Sequence, residues 1–299
     1  MVIIPVHIGQ YMKVQPVCVP CLMKRVVFQS KLPNNGREFE ALEAALKTYG
    51  ENISKSMNSA RIATIVHRSA YDALGVTDPY LELKIRADEV MSQYMGVSEK
   101  YVADSEDKIR AAIRISIVGN IMDFGSGIAI DDPNEFAEVF ETLLAQEPGL
   151  DDTEAIKEIL SRDGTVVYLF DNCGESQLDK ILIREIRKLG RRVIGVVRGE
   201  AILNDVTYED AVRVGLDREL DELLTTGVFA IGVDMDRISD ELREKMENAS
   251  IIIAKGMANY ESLSEASLKV PVAYLMRAKC IPVAESLGVG FGANIVKLG

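Results

Sequence analysis

Thr165-Val-Val-Tyr-Leu-Phe170, running on into Asp171-Asn172-Cys173-Gly174-Glu175, is the stretch on which the fold turns. An unbroken run of β-branched, aromatic and aliphatic residues reads as a strand buried on both faces, as in a parallel sheet covered by helices. A polar turn follows, and residues 176–189 then carry helical spacing closed by Gly190. The unit recurs downstream. Arg192-Val-Ile-Gly-Val-Val197 predicts a second strand, followed by Asn204-Asp205-Val206-Thr207 and a helix over 208–214. Gly227-Val-Phe-Ala-Ile231 reads as a weaker strand and 239–248 as a helix. Ile251-Ile-Ile-Ala254 is a strand ending in Lys255-Gly256, and 271–276 and Cys280-Ile-Pro-Val283 are late strands. Strands alternating with helices imply parallel β with right-handed crossovers.

The upstream half has a different period. Phe39, Leu42, Ala45, Leu46 and Tyr49 recur at helical spacing, as do Ile62, Ile65, Val66, Ser69, Ala70, Ala73 and Leu74. Leu83, Ala87, Val90, Met91 and Tyr94 form a third stripe. Ile109, Ala112, Ile113, Ser116 and Ile117 form a fourth, running into Gly119-Asn120. Gly36, Gly50, Gly75 and Gly96 stand where helices should stop. The expected organisation is a mainly helical domain over 12–150 and an α/β domain over 151–299. Asp131-Asp132-Pro133 and Glu147-Pro148-Gly149 mark the junction. Met12-Lys13-Val14 offers a second start, so residues 1–11 are expected to be an extension or a mis-called start.

Charge narrows the partners. Asp and Glu number 46 against 34 Lys and Arg, a net −12 that repels a polyphosphate backbone. The densest basic cluster, Arg184, Arg187, Lys188, Arg191 and Arg192, falls around a helix end, where it complements the dipole. No nucleic-acid partner is expected. Unbroken apolar runs such as 166–170 and 251–254 fall far short of the roughly 20 residues of a membrane span, so no membrane partner is expected either. Four cysteines and no secretory leader point to a reducing, cytoplasmic setting. The many Ile, Val, Glu and Arg residues hint at a thermophile.

In an open parallel sheet, ligands bind beyond the carboxyl ends of the strands. Three segments should converge there: Asp171-Asn172-x-Gly174-Glu175, Asn204-Asp205, and Lys255-Gly256 with Asn259 and Glu261 beyond. Carboxylate and amide oxygens suit a hard cation such as Mg²⁺ or Mn²⁺. A lysine beside them is what a transferring phosphoryl group needs. With only His7 and His67, a His-rich zinc site is excluded by count, and a Ser-His-Asp triad has little support.

Each segment also has a plainer reading. Asp171 and Asn172 could cap the next helix, Asn204-Asp205 could be an ordinary turn, and Lys255 a surface lysine. Their convergence favours the joint site. Gly119-Asn120-x-x-Asp123 could reach the same cleft from the helical half. Cys18-x-x-Cys21 could grip zinc, cycle as a redox pair or simply pack, with His67, Cys173 and Cys280 as remote further ligands. Cys173 has no activating His nearby and reads as space-filling.

Rival motifs fit poorly. Gly288-x-Gly290-x-Gly292 leaves no room for the helix of a dinucleotide site and reads as a turn-rich tail. A Walker loop is absent. Residues 169–175 mimic a methyltransferase loop, but Glu175 stands where a small residue would admit the cofactor. A haloacid-dehalogenase-type phosphatase needs Asp at 173, which is Cys.

The ordered set Gly119-Asn120-x-x-Asp123, Phe170-Asp171-Asn172-x-Gly174-Glu175, Asn204-Asp205 and Lys255-Gly256-x-x-Asn259-Tyr260-Glu261 resembles the metal-dependent damage-control phosphatases, formerly a domain-of-unknown-function family. Cys18-x-x-Cys21 is similar to its compact prokaryotic and archaeal branch, and the likeness runs from Met12 onward. The resemblance implies an α/β fold with a Rossmann-like, mostly parallel sheet flanked by helices, behind an N-terminal helical part. It implies that Asp171, Asn172 and Asp205 hold one divalent metal (Mg²⁺, Mn²⁺, Co²⁺ or Ni²⁺) and that Asn120, Asp123 and Lys255 face the phosphate. Family substrates look like small phosphorylated metabolites, including sugar phosphates and phosphopantetheine-like compounds.

The expected chemistry is therefore phosphomonoester hydrolysis. Asp171 is a metal ligand, Lys255 neutralises charge, and Asp123 or Glu175 orients water or assists the leaving group. Asn120, Lys255 and Asn259 are expected to bind substrate, and a structural zinc at Cys18 and Cys21 stays open, as does oligomerisation. Two alternatives stand beside it. One is an S-adenosylmethionine-dependent carboxyl methyltransferase, since some similar proteins carry that description. The other is a phosphometabolite-binding protein without turnover.

Overall fold

Residues 165–169 form an interior strand of a seven-stranded sheet in the computed structural model, which describes residues 12–124 and 132–299. The expected extension 1–11 and part of the expected junction, 125–131, lie outside the described residues. The upstream half is helical, comprising α1 (Cys18–Lys31), α2 (Glu38–Asn52), α3 (Ser59–Leu74), α4 (Leu81–Ser92), α5 (Met95–Asp104), α6 (Lys108–Gly119) and α7 (Phe136–Ala145). Strands and helices then alternate through β1 (Leu150–Asp151), α8 (Thr153–Leu160), β2 (Thr165–Leu169), α9 (Glu175–Lys188), β3 (Arg192–Val197), α10 (Tyr208–Arg213) and β4 (Glu222–Thr225). The chain continues through α11 (Asp240–Glu247), β5 (Ile251–Lys255), α12 (Gly256–Leu263), β6 (Val272–Arg277), α13 (Ile281–Leu287) and β7 (Asn294–Leu298). The sheet order is β1-β7-β6-β5-β2-β3-β4, and every pairing is parallel except β6 with β7.

This is the mixed α/β architecture expected, with its helical stripes on α2, α3, α4 and α6. Several local readings need correcting. Gly75 caps α3 in the left-handed conformation, but Gly50 and Gly96 lie inside α2 and α5. Residues 227–231 are not a strand; β4 precedes them. Cys280-Ile-Pro-Val283 opens helix α13, where Pro282 sits in the first turn and its missing N–H costs no bond. The glycine-rich tail leads into β7, which inserts between β1 and β6.

Alternation along β2 assigns its two faces. Val166 and Tyr168 pack with Ala87 and Met91 of α4, Ile113 and Ile117 of α6, and Leu178 and Leu182 of α9. Val167 and Leu169 pack on the opposite face with Ile252, Ala254, Tyr260 and Leu263. A third cluster joins α1, α2 and α3 through Val26, Ala41, Ala45, Ile62 and Val66. Because β5, β2 and β3 are adjacent and parallel, their carboxyl ends bring residues 171, 255 and those after 197 to one edge. No helix among the described residues is long and apolar enough to cross a membrane.

Candidate metal and phosphate site

Two turns meet beyond that edge. Asn172 and Asp205 form an isolated antiparallel bridge. The N–H of Cys173 donates to Asn204 O and that of Val206 to Asp171 O, each at 2.8 Å. Asp171, Asn172 and Asp205 therefore line one cavity of about 460 Å³.

Buried partners hold the three in place. Asn120 Nδ2 and Asn172 Nδ2 donate to Asp171 Oδ2 at 3.2 and 2.8 Å. Arg198, 1% exposed, donates from Nε to Asp205 Oδ2 at 2.6 Å and places Nη2 3.6 Å from Asp171 Oδ1. Gly256 opens α12 at φ +72, and its missing side chain leaves room for the Asp171 carboxylate.

The electrostatics fit a dication. Burial, then the Asp205 and Glu175 charges, push the Asp171 carboxyl well above the usual carboxylate range. Burial also raises Asp205 despite Arg198. Among the described residues, no hydrogen-bond donor reaches Asp171 Oδ1, Asn172 Oδ1 or Asp205 Oδ1, although every other oxygen of the two carboxylates is engaged. Three such hard oxygens on a cavity wall, with repelling carboxylates behind them, suit Mg²⁺-like ions.

Other expected residues are placed differently. Lys255 is fully buried, and its ammonium donates to Glu175 Oε1 at 2.6 Å, Asp179 Oδ1 at 2.7 Å and Ser116 O at 2.9 Å. With its three N–H groups committed below Asp171 and Asn172, it does not reach the cavity. Glu175 is equally buried, and its Oε2 accepts from Asn120 Nδ2 and Asn172 Nδ2 at 2.8 and 2.9 Å. Asn259 donates to Lys255 O at 2.7 Å and accepts from Arg198 Nη1 at 3.1 Å. Asn120, Lys255, Asn259 and Glu175 thus form a layer beneath the wall rather than part of it.

Asp123 does line the cavity, between two cations that composition alone did not single out. Arg25 Nη2 stands 2.9 Å from Asp123 Oδ1, and Lys279 Nζ 2.8 Å from Oδ2. Burial would raise this carboxyl, but Arg25 and Lys279 outweigh it and hold it down to about 2. Lys279 also donates to Asn120 O at 2.7 Å. Neither cation sits in a motif: Arg25 is on α1, and Lys279 follows β6.

Cys18, Cys21 and Cys280 line the cavity too, and all four cysteines are free. Among the described residues, no three His, Cys, Asp or Glu side chains stand close enough to hold one ion. Among the described residues the thiol pair therefore lacks the further ligands of a closed zinc site, whereas Asn172 offers an oxygen beside those of Asp171 and Asp205. Burial raises the Cys18 thiol, and burial with the nearby Glu261 charge pushes Cys280 up to about 12, which keeps both protonated and weakly reactive.

Known proteins resemble this chain along nearly its whole length. The family model described as the damage-control phosphatase ARMT1-like domain matches residues 14–295. A damage-control phosphatase of Archaeoglobus fulgidus is 42% identical over 290 residues, covering 96% of this chain and 99% of that one. A damage-control phosphatase of Pyrococcus horikoshii is 31% identical, covering 95% of this chain and 97% of that one. A crystal structure of a DUF89 family protein from Pyrococcus horikoshii superposes with a TM-score of 0.82 at 28% identity, covering 96% of this chain and 99% of its own. Sequence likeness, matched fold and end-to-end coverage agree, and the chain belongs to the damage-control phosphatase family.

Proposed function

We propose that this phosphatase hydrolyses small phosphomonoesters with one divalent cation, Mg²⁺, Mn²⁺, Co²⁺ or Ni²⁺, held by Asp171, Asn172 and Asp205. The observation that carries the reading is the pair of mutually repelling, buried carboxylates Asp171 and Asp205 on the wall of one cavity. A divalent ion there supplies Lewis-acid polarisation of a phosphoryl oxygen. Lys279 and Arg25 line the same cavity and are the cations that meet the remaining phosphate oxygens. Asp123, ionised between them, orients both and is too acidic to serve as a proton donor. Lys255 works from below, neutralising Glu175 and Asp179 so that the layer holding Asp171 keeps its shape.

Val17, Ile62, Ile231 and Met257 line the rest of the cavity, which suits the organic part of a sugar phosphate or a phosphopantetheine-like compound. In this reading residues 12–150 cap the site and residues 151–299 carry the metal. The net charge of −12 favours a small metabolite over nucleic acid, and free cysteines suit a cytoplasmic setting.

The test is phosphate release from a panel of phosphomonoesters with each metal in turn, beside Asp171→Ala. Metal-dependent release that disappears in the variant is expected. Equal metal-dependent release by a rigorously purified Asp171→Ala protein would remove Asp171 from the site.

A further inference from the structure

α4 lies behind both turns that carry the metal ligands, although none of its residues lines the cavity. Asp88, 5% exposed, accepts the backbone N–H of Gly174 on Oδ1 at 2.7 Å. Gly174 stands at φ +79, where a Cβ would come within 3.1 Å of Ala87 Cβ and 3.2 Å of Ala87 O. The helix therefore packs directly on the Asp171–Glu175 turn. Asp88 Oδ2 pairs with Arg213 Nη2 at 2.8 Å, and Arg213 Nη1 pairs with Asp210 Oδ1 at 2.6 Å. Asp210 Oδ2 accepts from Thr207 N at 3.0 Å and Thr207 Oγ1 at 2.7 Å, two residues beyond Asp205. Fully buried Lys84, also on α4, pairs with Asp210 and, at 2.9 Å, with Asp78.

One helix of the capping half is thus bonded to the first turn through a backbone N–H and to the second through a chain of charged pairs. The reason this matters is geometric. Asp171 and Asn172 sit on one turn and Asp205 on the other, so the spacing of the three oxygens is set by how the turns are held relative to each other. Direct bonds tie the turns on the cavity side, and the α4 network ties them from behind.

We infer that Asp88 is a positioning residue for the metal site, its Oδ1 holding Gly174 and its Oδ2 coupling that turn through Arg213 and Asp210 to the Asp205 turn. The inference rests on Asp171, Asn172 and Asp205 being the ligands. Residues that orient metal ligands from outside typically change affinity by roughly 10–100-fold when removed.

The test is Mn²⁺ binding to the full chain, measured by calorimetry without substrate, for the unsubstituted protein, Asp171→Ala, Asp88→Ala, Asp88→Asn and Arg213→Ala. Asp171→Ala should abolish binding. Asp88→Ala should weaken it roughly 10-fold or more. Asp88→Asn keeps an acceptor for Gly174 but loses the carboxylate, and should fall clearly less than Asp88→Ala. A purely packing role would leave the isosteric Asp88→Asn at the unsubstituted affinity, whereas loss of the charge pair with Arg213 should weaken it measurably. Arg213→Ala keeps the Asp88 acceptor for Gly174 and removes the coupling to Asp210, and it should lose several-fold in affinity. Loss of binding in Asp171→Ala with unchanged affinity in the Asp88 and Arg213 variants overturns the positioning role alone. Unchanged binding in Asp171→Ala overturns the ligand assignment, and the positioning role with it.

Discussion

Gly256 and Asp171 share a space that holds only one of a methyl group and a carboxylate: a Cβ on Gly256 would stand 1.7 Å from Asp171 Oδ2. The glycine opening α12 is therefore part of how β2 presents its aspartate. Its φ of +72 adds a second reason for glycine, since an L side chain in that conformation costs about 1–2 kcal/mol.

Gly256→Ala is expected to displace the Asp171 carboxylate and reduce Mn²⁺ affinity at least about 10-fold, by the same ligand-misplacement argument. The melting temperature should fall as well. A titration with unchanged affinity would show that Asp171 can withdraw without losing its place.

Lys255 and Lys279, both buried, should separate by what they lose. Lys255→Met strands Glu175 and Asp179 without their cation, and breaking a buried pair this way costs roughly 3–5 kcal/mol. Lys279→Met leaves Asp123 paired with Arg25. Its main expected effect is a KM raised about 10-fold or more for a phosphomonoester, one lost charge-assisted contact. Denaturant unfolding and steady-state kinetics on both variants check this. A stable Lys255→Met protein with kcat alone reduced would return Lys255 to the phosphate.

His67 should make stability fall in acid. It is fully buried, with Nδ1 2.7 Å from Gln29 Oε1. Burial, helped by the Arg25 charge, holds the imidazole down to about 3. An unfolded histidine titrates near 6.5. Below that pH the unfolded chain takes up a proton that the folded chain refuses, so this contribution is complete above about 6.5 and is lost as pH falls towards 3. The whole window is worth on the order of 4–5 kcal/mol. His67→Gln removes the titration, so its stability deficit against the unsubstituted protein should shrink between pH 7 and pH 4. A deficit that stays constant across that range would sink the idea.

Local sequence was informative where short-range chemistry decides. The run 165–169 reads as a buried strand because it is rich in β-branched and aromatic residues, and the polar residues just after β2, β3 and β5 converge because adjacent parallel strands end at one edge. Asp171, Asn172, Glu175, Asn204, Asp205 and Lys255 could be gathered for that reason, while only the family resemblance implied Asp171, Asn172 and Asp205 as the metal-holding three. Cys280-Ile-Pro-Val283 was misread because a four-residue apolar run does not distinguish strand from helix, and Gly50 and Gly96 because glycine is tolerated inside a helix that packs well.

What tertiary structure alone decided is the direction of side chains and the identity of their partners. Lys255 follows β5 as the motif requires, yet it points beneath the wall, where two carboxylates offset the cost of burying its charge. Arg25 and Lys279 meet across more than 250 residues of chain because α1 and the segment after β6 border one cavity, and no spacing in the sequence records that. Periodicity and composition act over a few residues and determined the strands, the helices and the edge at which the chemistry gathers. Which charged group faces the substrate and which supports it from below depends on desolvation and pairing in the packed interior, and those exist only once the chain has folded.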